Sequence, residues 1–106
     1  MNTRINYLYR DACNYKVHNE VVIKGTFTSE QIDKIISCLS DGENFIPSQV
    51  GFPERRFDEV TEDDTCWFEL NRKDFEETKD EETVDLTIDE IVEAFLAAKD
   101  NWHEYM

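Results

Sequence analysis

Basic residues are scarce in this chain. Eleven Lys and Arg stand against twenty-five Asp and Glu, a formal charge of −14 over 106 residues. That balance disfavours contact with nucleic acid and anionic lipid, and it favours basic partners, whose encounter it speeds. No basic patch of the nucleic-acid-binding kind appears, and no Gly-rich phosphate loop. No apolar run approaches the roughly 18 residues that suggest a membrane span. The N-terminal MNTRINYLYRD lacks the apolar centre of a secretory signal, so the expected location is cytoplasmic. Cys13, Cys38 and Cys66 are three in number, with no CxxC spacing, and read as reduced thiols rather than a disulfide framework. Of three Gly and two Pro, both prolines and two glycines, Gly42 and Gly51, lie in or next to one segment, Glu43 to Pro53.

The 40% hydrophobic content with seven Phe argues for a folded core despite the charge. The length suits one domain, residues 1–106, with no internal repeat. The charge is unevenly placed. Residues 1–53 carry six acids and five bases, residues 54–90 sixteen acids and five bases, and residues 91–106 three acids and one base. Most of the negative charge therefore falls on about a third of the chain.

The strongest local signals sit between Thr28 and Phe57. Thr28, Ser29, Glu30 and Gln31 form a capping box. Ile32, Ile35, Ile36 and Leu39 follow at i, i+3, i+4 and i+7, the apolar stripe of a helix over Ser29–Leu39. Asp41-Gly42 ends it, with Gly42 expected as the left-handed cap. The stripe is either a partner-binding face or, as amphipathic helices of small domains usually require, the face packed on a sheet. Next comes Glu43 to Pro53, which holds both prolines. Phe45, Ile46, Val50 and Phe52 make it too apolar for a linker, so an ordered loop with a helical turn is expected. Such loops either carry function or close one end of a core. Arg55-Arg56 at its exit could hold an anion or pair with nearby acids.

Thr3 to Tyr9 alternates and reads as a strand; Glu20 to Phe27, rich in β-branched residues, reads as a second, and together they suggest an antiparallel pair. Thr65 to Leu70 reads as a third strand, in which Trp67 and Phe68 must face opposite sides. A short fourth is expected near Val84 to Thr87, while Asn71 to Thr83 reads as polar connection. Thr87-Ile88-Asp89-Glu90 is a second capping box, opening a helix through Ile91, Val92, Phe95 and Leu96 to about Asn101. The expected fold is α+β: an antiparallel sheet of three to four strands with two amphipathic helices packed on one face. The predicted core includes Ile32, Ile35, Ile36, Leu39, Ile91, Val92, Phe95 and Leu96.

Catalytic chemistry finds little support. Cys13, Cys38, Cys66, His18 and His103 are the only material for a thiol–imidazole pair, and their order matches no protease pattern. Cys13 and His18 have no second pair to complete a zinc site. The cluster Asp58, Glu59, Glu62, Asp63 and Asp64 lacks the glycine-containing calcium-loop pattern and reads as a solvated acidic loop. No cofactor is called for.

Asn14-Tyr15-Lys16, Asn19-Glu20-Val21-Val22, Gly42-Glu43-Asn44-Phe45-Ile46-Pro47, Gln49-Val50-Gly51 and Trp67-Phe68-Glu69-Leu70 together resemble a group of short acidic bacterial and mobile-element proteins without an assigned function. The resemblance spans most of the chain, implies no catalytic residue, and points to an accessory or phage-type role.

The expected function is non-enzymatic: an acidic protein that occupies a basic surface of a partner, most sharply a nucleic-acid mimic of the anti-restriction or anti-CRISPR type. Nucleic-acid sites are lined with Lys and Arg that meet regularly spaced phosphates, and carboxylates at i, i+2 on a strand lie roughly 6–7 Å apart on one face. The arginines with which guided nucleases read DNA are an obvious target. The expected contact residues are Asp58, Glu59, Glu62, Asp63, Asp64, Glu76 and Glu77. The alternatives are an acidic adaptor or homodimer using Trp67 or Phe68, Trp102 and Tyr105, and, less favoured, a small hydrolase.

Overall fold

A computed structural model describes residues 1–10, 16–55 and 66–103. Its element order is β1 (Asn2–Arg10), β2 (Lys16–Ile23), α1 (Ser29–Ser37), β3 (Asn44–Phe45), a 3-10 turn (Pro47–Val50), β4 (Phe68–Glu69), a second 3-10 turn (Arg72–Asp74), β5 (Phe75–Thr78) and α2 (Ile88–Ala98). The architecture is α+β: an antiparallel sheet and two helices.

β1 is the spine of the sheet. It pairs with β2 along its whole length, from Thr3 opposite Ile23 to Arg10 opposite Lys16. Its other edge is shared by β4, with Leu8 opposite Glu69, and β5, with Ile5 opposite Phe75. Three steps along β1 thus match six along the partner, so the second 3-10 turn is a three-residue bulge in what would otherwise be one strand. Asn71 caps that turn, accepting from Lys73 N at 3.2 Å, while Asp74 accepts from Asn71 N at 2.9 Å. β3 continues the sheet beyond β4.

Alternation on β1 assigns the two faces. Thr3, Ile5, Tyr7 and Tyr9 are buried beneath the helices, whereas Asn2, Arg4, Asn6 and Leu8 lie on the open face and keep partial contact with solvent. Ile35 of α1 and Ile91, Phe95 and Ala98 of α2 complete the core with Phe45, Phe68 and Leu70. The expected capping boxes both form: Gln31 N donates to Thr28 Oγ1 at 3.1 Å, and Glu90 N to Thr87 Oγ1 at 3.1 Å.

The loop after α1 belongs to the core. Phe45, Ile46, Val50 and Phe52 are all buried, and Phe45 stacks on Phe95 with ring centroids 5.6 Å apart. Tyr7 OH donates to Pro53 O at 2.5 Å, fastening the loop to the sheet. Burial, and secondarily the charge of Glu54, pushes the Tyr7 phenol well above its ordinary range. Asn19, buried on β2, clamps the loop exit by accepting from Arg55 N at 2.8 Å and donating to Arg55 O at 3.1 Å.

Four expectations need correction. No strand forms at Val84 to Thr87; the strand is β5, in the segment read as polar connection, because the free edge of β1 recruits Phe75–Thr78. Leu96 is 48% exposed. At 100° per residue it sits about 140° round the helix from Ile91 and off the buried side. Ile32, Ile36 and Val92 are only half-buried. Gly42 does adopt a left-handed backbone, at φ 76, but it lies in the following turn, and α1 ends earlier with Cys38 as its cap. Among the described residues no helix is long and apolar enough to cross a membrane.

Candidate protein-interaction surface

Of the seven expected contact residues, Asp58, Glu59, Glu62, Asp63 and Asp64 lie outside the described residues. Glu76 and Glu77 are both exposed on β5, which runs along the edge of β1. Being consecutive in a strand, they project to opposite faces and so do not act as one pair.

Glu76 lies opposite Arg4 on the open face and is engaged by it. Arg4 Nη1 donates to Glu76 Oε1 at 3.0 Å, and Asn6 Nδ2 reaches the same oxygen at 3.4 Å. Arg4 also meets Asp80, and its Nε lies 2.9 Å from Glu20 Oε2, a contact too poorly aligned to count as a hydrogen bond. One cation is thus ringed by three carboxylates, and the cluster remains negative. The hydrogen bond from Arg4, then that from Asn6, holds the Glu76 carboxyl below the usual carboxylate range. The same bond to Glu76 raises the Arg4 guanidinium further still. Solvent screens these contacts, so they fix positions more than they stabilise the fold.

From β5, through an intervening strap, into α2 the chain is strongly acidic. Residues 76–93 hold nine acids, Glu76, Glu77, Asp80, Glu81, Glu82, Asp85, Asp89, Glu90 and Glu93, against the single base Lys79. All nine acids are exposed. Backbone anchors carry the strap across the end of the sheet where β1 begins and β2 finishes. Asn2 Nδ2 donates to Asp80 O at 2.9 Å, Thr83 N to Val22 O at 2.9 Å, and Val22 N to Thr83 Oγ1 at 3.0 Å. Val84, Leu86 and Ile88, partly buried against the core, hold it down from within. Apolar residues therefore alternate inward along a segment whose acids face water. Of these acids only Glu76 and Glu77 are among the expected contact residues; the signal that identifies the rest is the alternation of Val84 and Leu86 with acids, a pattern equally compatible with a strand.

The open face carries a hollow of about 360 Å³ at the bulge, lined by Asn6, Leu8, Arg10, His18, Glu69 and Lys73 among others. Its charges nearly balance, and Arg10 Nε pairs with Glu69 at 3.1 Å. On the helix side, Cys38 and Cys66 are buried, and the Cys38 thiol donates to Lys34 O at 3.1 Å. Among the described residues no three His, Cys, Asp or Glu side chains group as metal ligands would. Trp67 turns away from buried Phe68, as alternation requires, and meets Trp102 edge to face.

No family model, curated protein or solved structure matches this chain.

Proposed function

We propose that this chain is a non-enzymatic binding protein of the cytoplasm that occupies a basic surface on a partner protein. In its sharpest form it is a nucleic-acid mimic, an inhibitor of the anti-restriction or anti-CRISPR kind. The observation that carries the reading is the acidic segment 76–93: nine exposed carboxylates in eighteen residues, running from β5 through the strap into α2, with the strap anchored at Asp80 and Thr83 to the end of the sheet. Such a concentration of exposed carboxylates offers a nucleic-acid site what its Lys and Arg are set to meet. It also adds long-range attraction to the encounter. Asp58, Glu59, Glu62, Asp63 and Asp64, outside the described residues, add five acids to the chain's overall negative charge.

The homodimer alternative finds less support. Among the described residues the large apolar side chains left exposed are Met1 and Leu96, whereas a stable dimer face needs a broad, largely desolvated patch.

The test is capture followed by competition. The chain, immobilised, is exposed to lysate of its own cell or of a host; a recovered nucleic-acid-binding protein is then purified and assayed with its nucleic acid. The expected outcome is loss of nucleic-acid binding in proportion to added chain, weakening as salt rises from about 50 to 200 mM. Recovery of no nucleic-acid-binding protein, or a complex indifferent to salt, overturns the reading.

A further inference from the structure

The two helices end side by side, and a hollow of about 430 Å³ opens between their C-terminal ends. Two of its walls are Trp67 and Trp102, whose rings meet at 68° with centroids 6.4 Å apart. Trp102 is held in place: its Nε1 donates to Cys38 O at 2.9 Å, and its ring lies against Phe45 and Phe95. Asp41, four residues past the end of α1, and Asp100, two past the end of α2, line the same hollow. Lys99 is the one base among its described lining residues. The negative ends of both helix dipoles lie here as well.

We infer that this hollow receives an arginine side chain of the basic partner. The two indoles border the hollow at 68° to one another, and Trp is the strongest aromatic for cation–π contact with a cation seated beside it. The guanidinium is planar enough to lie along an indole and carries five N–H donors for carboxylates and helix-end carbonyls. A lysine ammonium, a more strongly hydrated point charge, would use the indoles less well. The proposal rests on the reading above for the source of the arginine, and it adds a pocket to what would otherwise be a diffuse charged contact.

Both tryptophans of the chain line the hollow, so fluorescence excited selectively at tryptophan reports on it. The probe is a capped Gly-Arg-Gly peptide at constant ionic strength, with the neutral isostere citrulline in place of arginine as control. A saturable spectral change is expected with the arginine peptide, in the millimolar range, and none with citrulline. Asp41 and Asp100 both have left-handed backbones, at φ 54 and 61, a conformation asparagine also tolerates. Asp41→Asn and Asp100→Asn should therefore keep the fold and each weaken binding about two- to fivefold. An equal response to citrulline, no saturable response, or an unchanged affinity in the double variant overturns the pocket. If the peptide fails while a basic partner still binds with salt dependence, the pocket alone is refuted. If the peptide binds and no basic partner is recovered, the pocket stands and the broader reading falls.

Discussion

Phe45 is the side chain on which the loop, α2 and the sheet converge. It is fully buried. Its ring stacks on Phe95 at 5.6 Å and meets Tyr7 at 5.5 Å, Phe52 at 6.2 Å and Trp102 at 6.4 Å, each of the last three edge to face. Truncation to alanine removes the apolar area of an aromatic side chain and leaves a cavity among rigid rings that collapse poorly. Phe45→Ala should therefore cost about 3–5 kcal/mol, a large part of the roughly 5–15 kcal/mol that stabilises a domain. With a urea slope of about 1–3 kcal/mol/M, the midpoint falls by about 2 M. Trp102, in contact with the altered site, supplies the fluorescence signal. Leu96→Ala is the control: because Leu96 is exposed, its loss should stay within about 0.5 kcal/mol. A cost under about 1 kcal/mol for Phe45→Ala would show that the loop merely lies on the surface. A larger cost at Leu96 than at Phe45 would show that α2 is rotated from the orientation described.

Gly51 and Gly42 both have left-handed backbones, at φ 82 and 76, but a Cβ on Gly51 would lie 3.2 Å from Leu86 Cδ1 while one on Gly42 meets nothing within 4 Å. Both alanine variants should lose about 1–2 kcal/mol to backbone strain, and thermal melts should show the greater loss at Gly51; equal losses would mean the strap does not press on the loop. The folded-state pKa of Glu76 is depressed by Arg4, so its contribution is present above the unfolded-state value, about 4.3, and disappears as pH falls through the folded-state value. The stability difference between the parent and Glu76→Gln should accordingly close in acid, and a difference that persists near pH 2 would refute the pairing. Neutralising Glu62, Asp63 and Asp64 together, or Glu76 and Glu77 together, should leave the circular dichroism spectrum intact and slow association with a basic partner, whereas single changes should matter slightly; parent rates in both variants would show these acids to be ordinary solvated surface.

What could be read from the sequence was what neighbours in the chain determine. The capping boxes at Thr28 and Thr87 are written within four residues each, and both helices begin where those boxes place them. β1 declares itself by alternation and β2 by β-branching over Glu20–Ile23, but β2 begins at Lys16 and stops at Ile23, short of the expected Phe27, because its register is set by pairing with β1. The loop announced its burial through Phe45, Ile46, Val50 and Phe52. β5 escaped because FEET has a single large apolar residue, and its strand identity comes from pairing with β1, seventy-odd positions away. The reverse error at Val84 to Thr87 has the same root, since alternating Val84 and Leu86 satisfy a strand pattern whether or not a neighbour supplies the hydrogen bonds. Arg4 gathers Glu20 from β2 and Glu76 and Asp80 from more than seventy positions away, and Trp67 meets Trp102 across thirty-five residues. Such meetings follow from topology and leave no local trace.

On the proposed reading, the acids of the strap act together as a steering surface for a basic partner. The most direct measurement is the association rate of the captured partner with the parent chain and with a variant carrying Glu81→Gln, Glu82→Gln and Asp85→Asn, followed across a salt series. Electrostatic steering predicts a parent rate that drops steeply with salt, a variant rate about tenfold lower at low salt, and convergence of the two at high salt, with both proteins equally folded. Equal rates for the two proteins at every salt concentration would show that these acids do not steer the encounter.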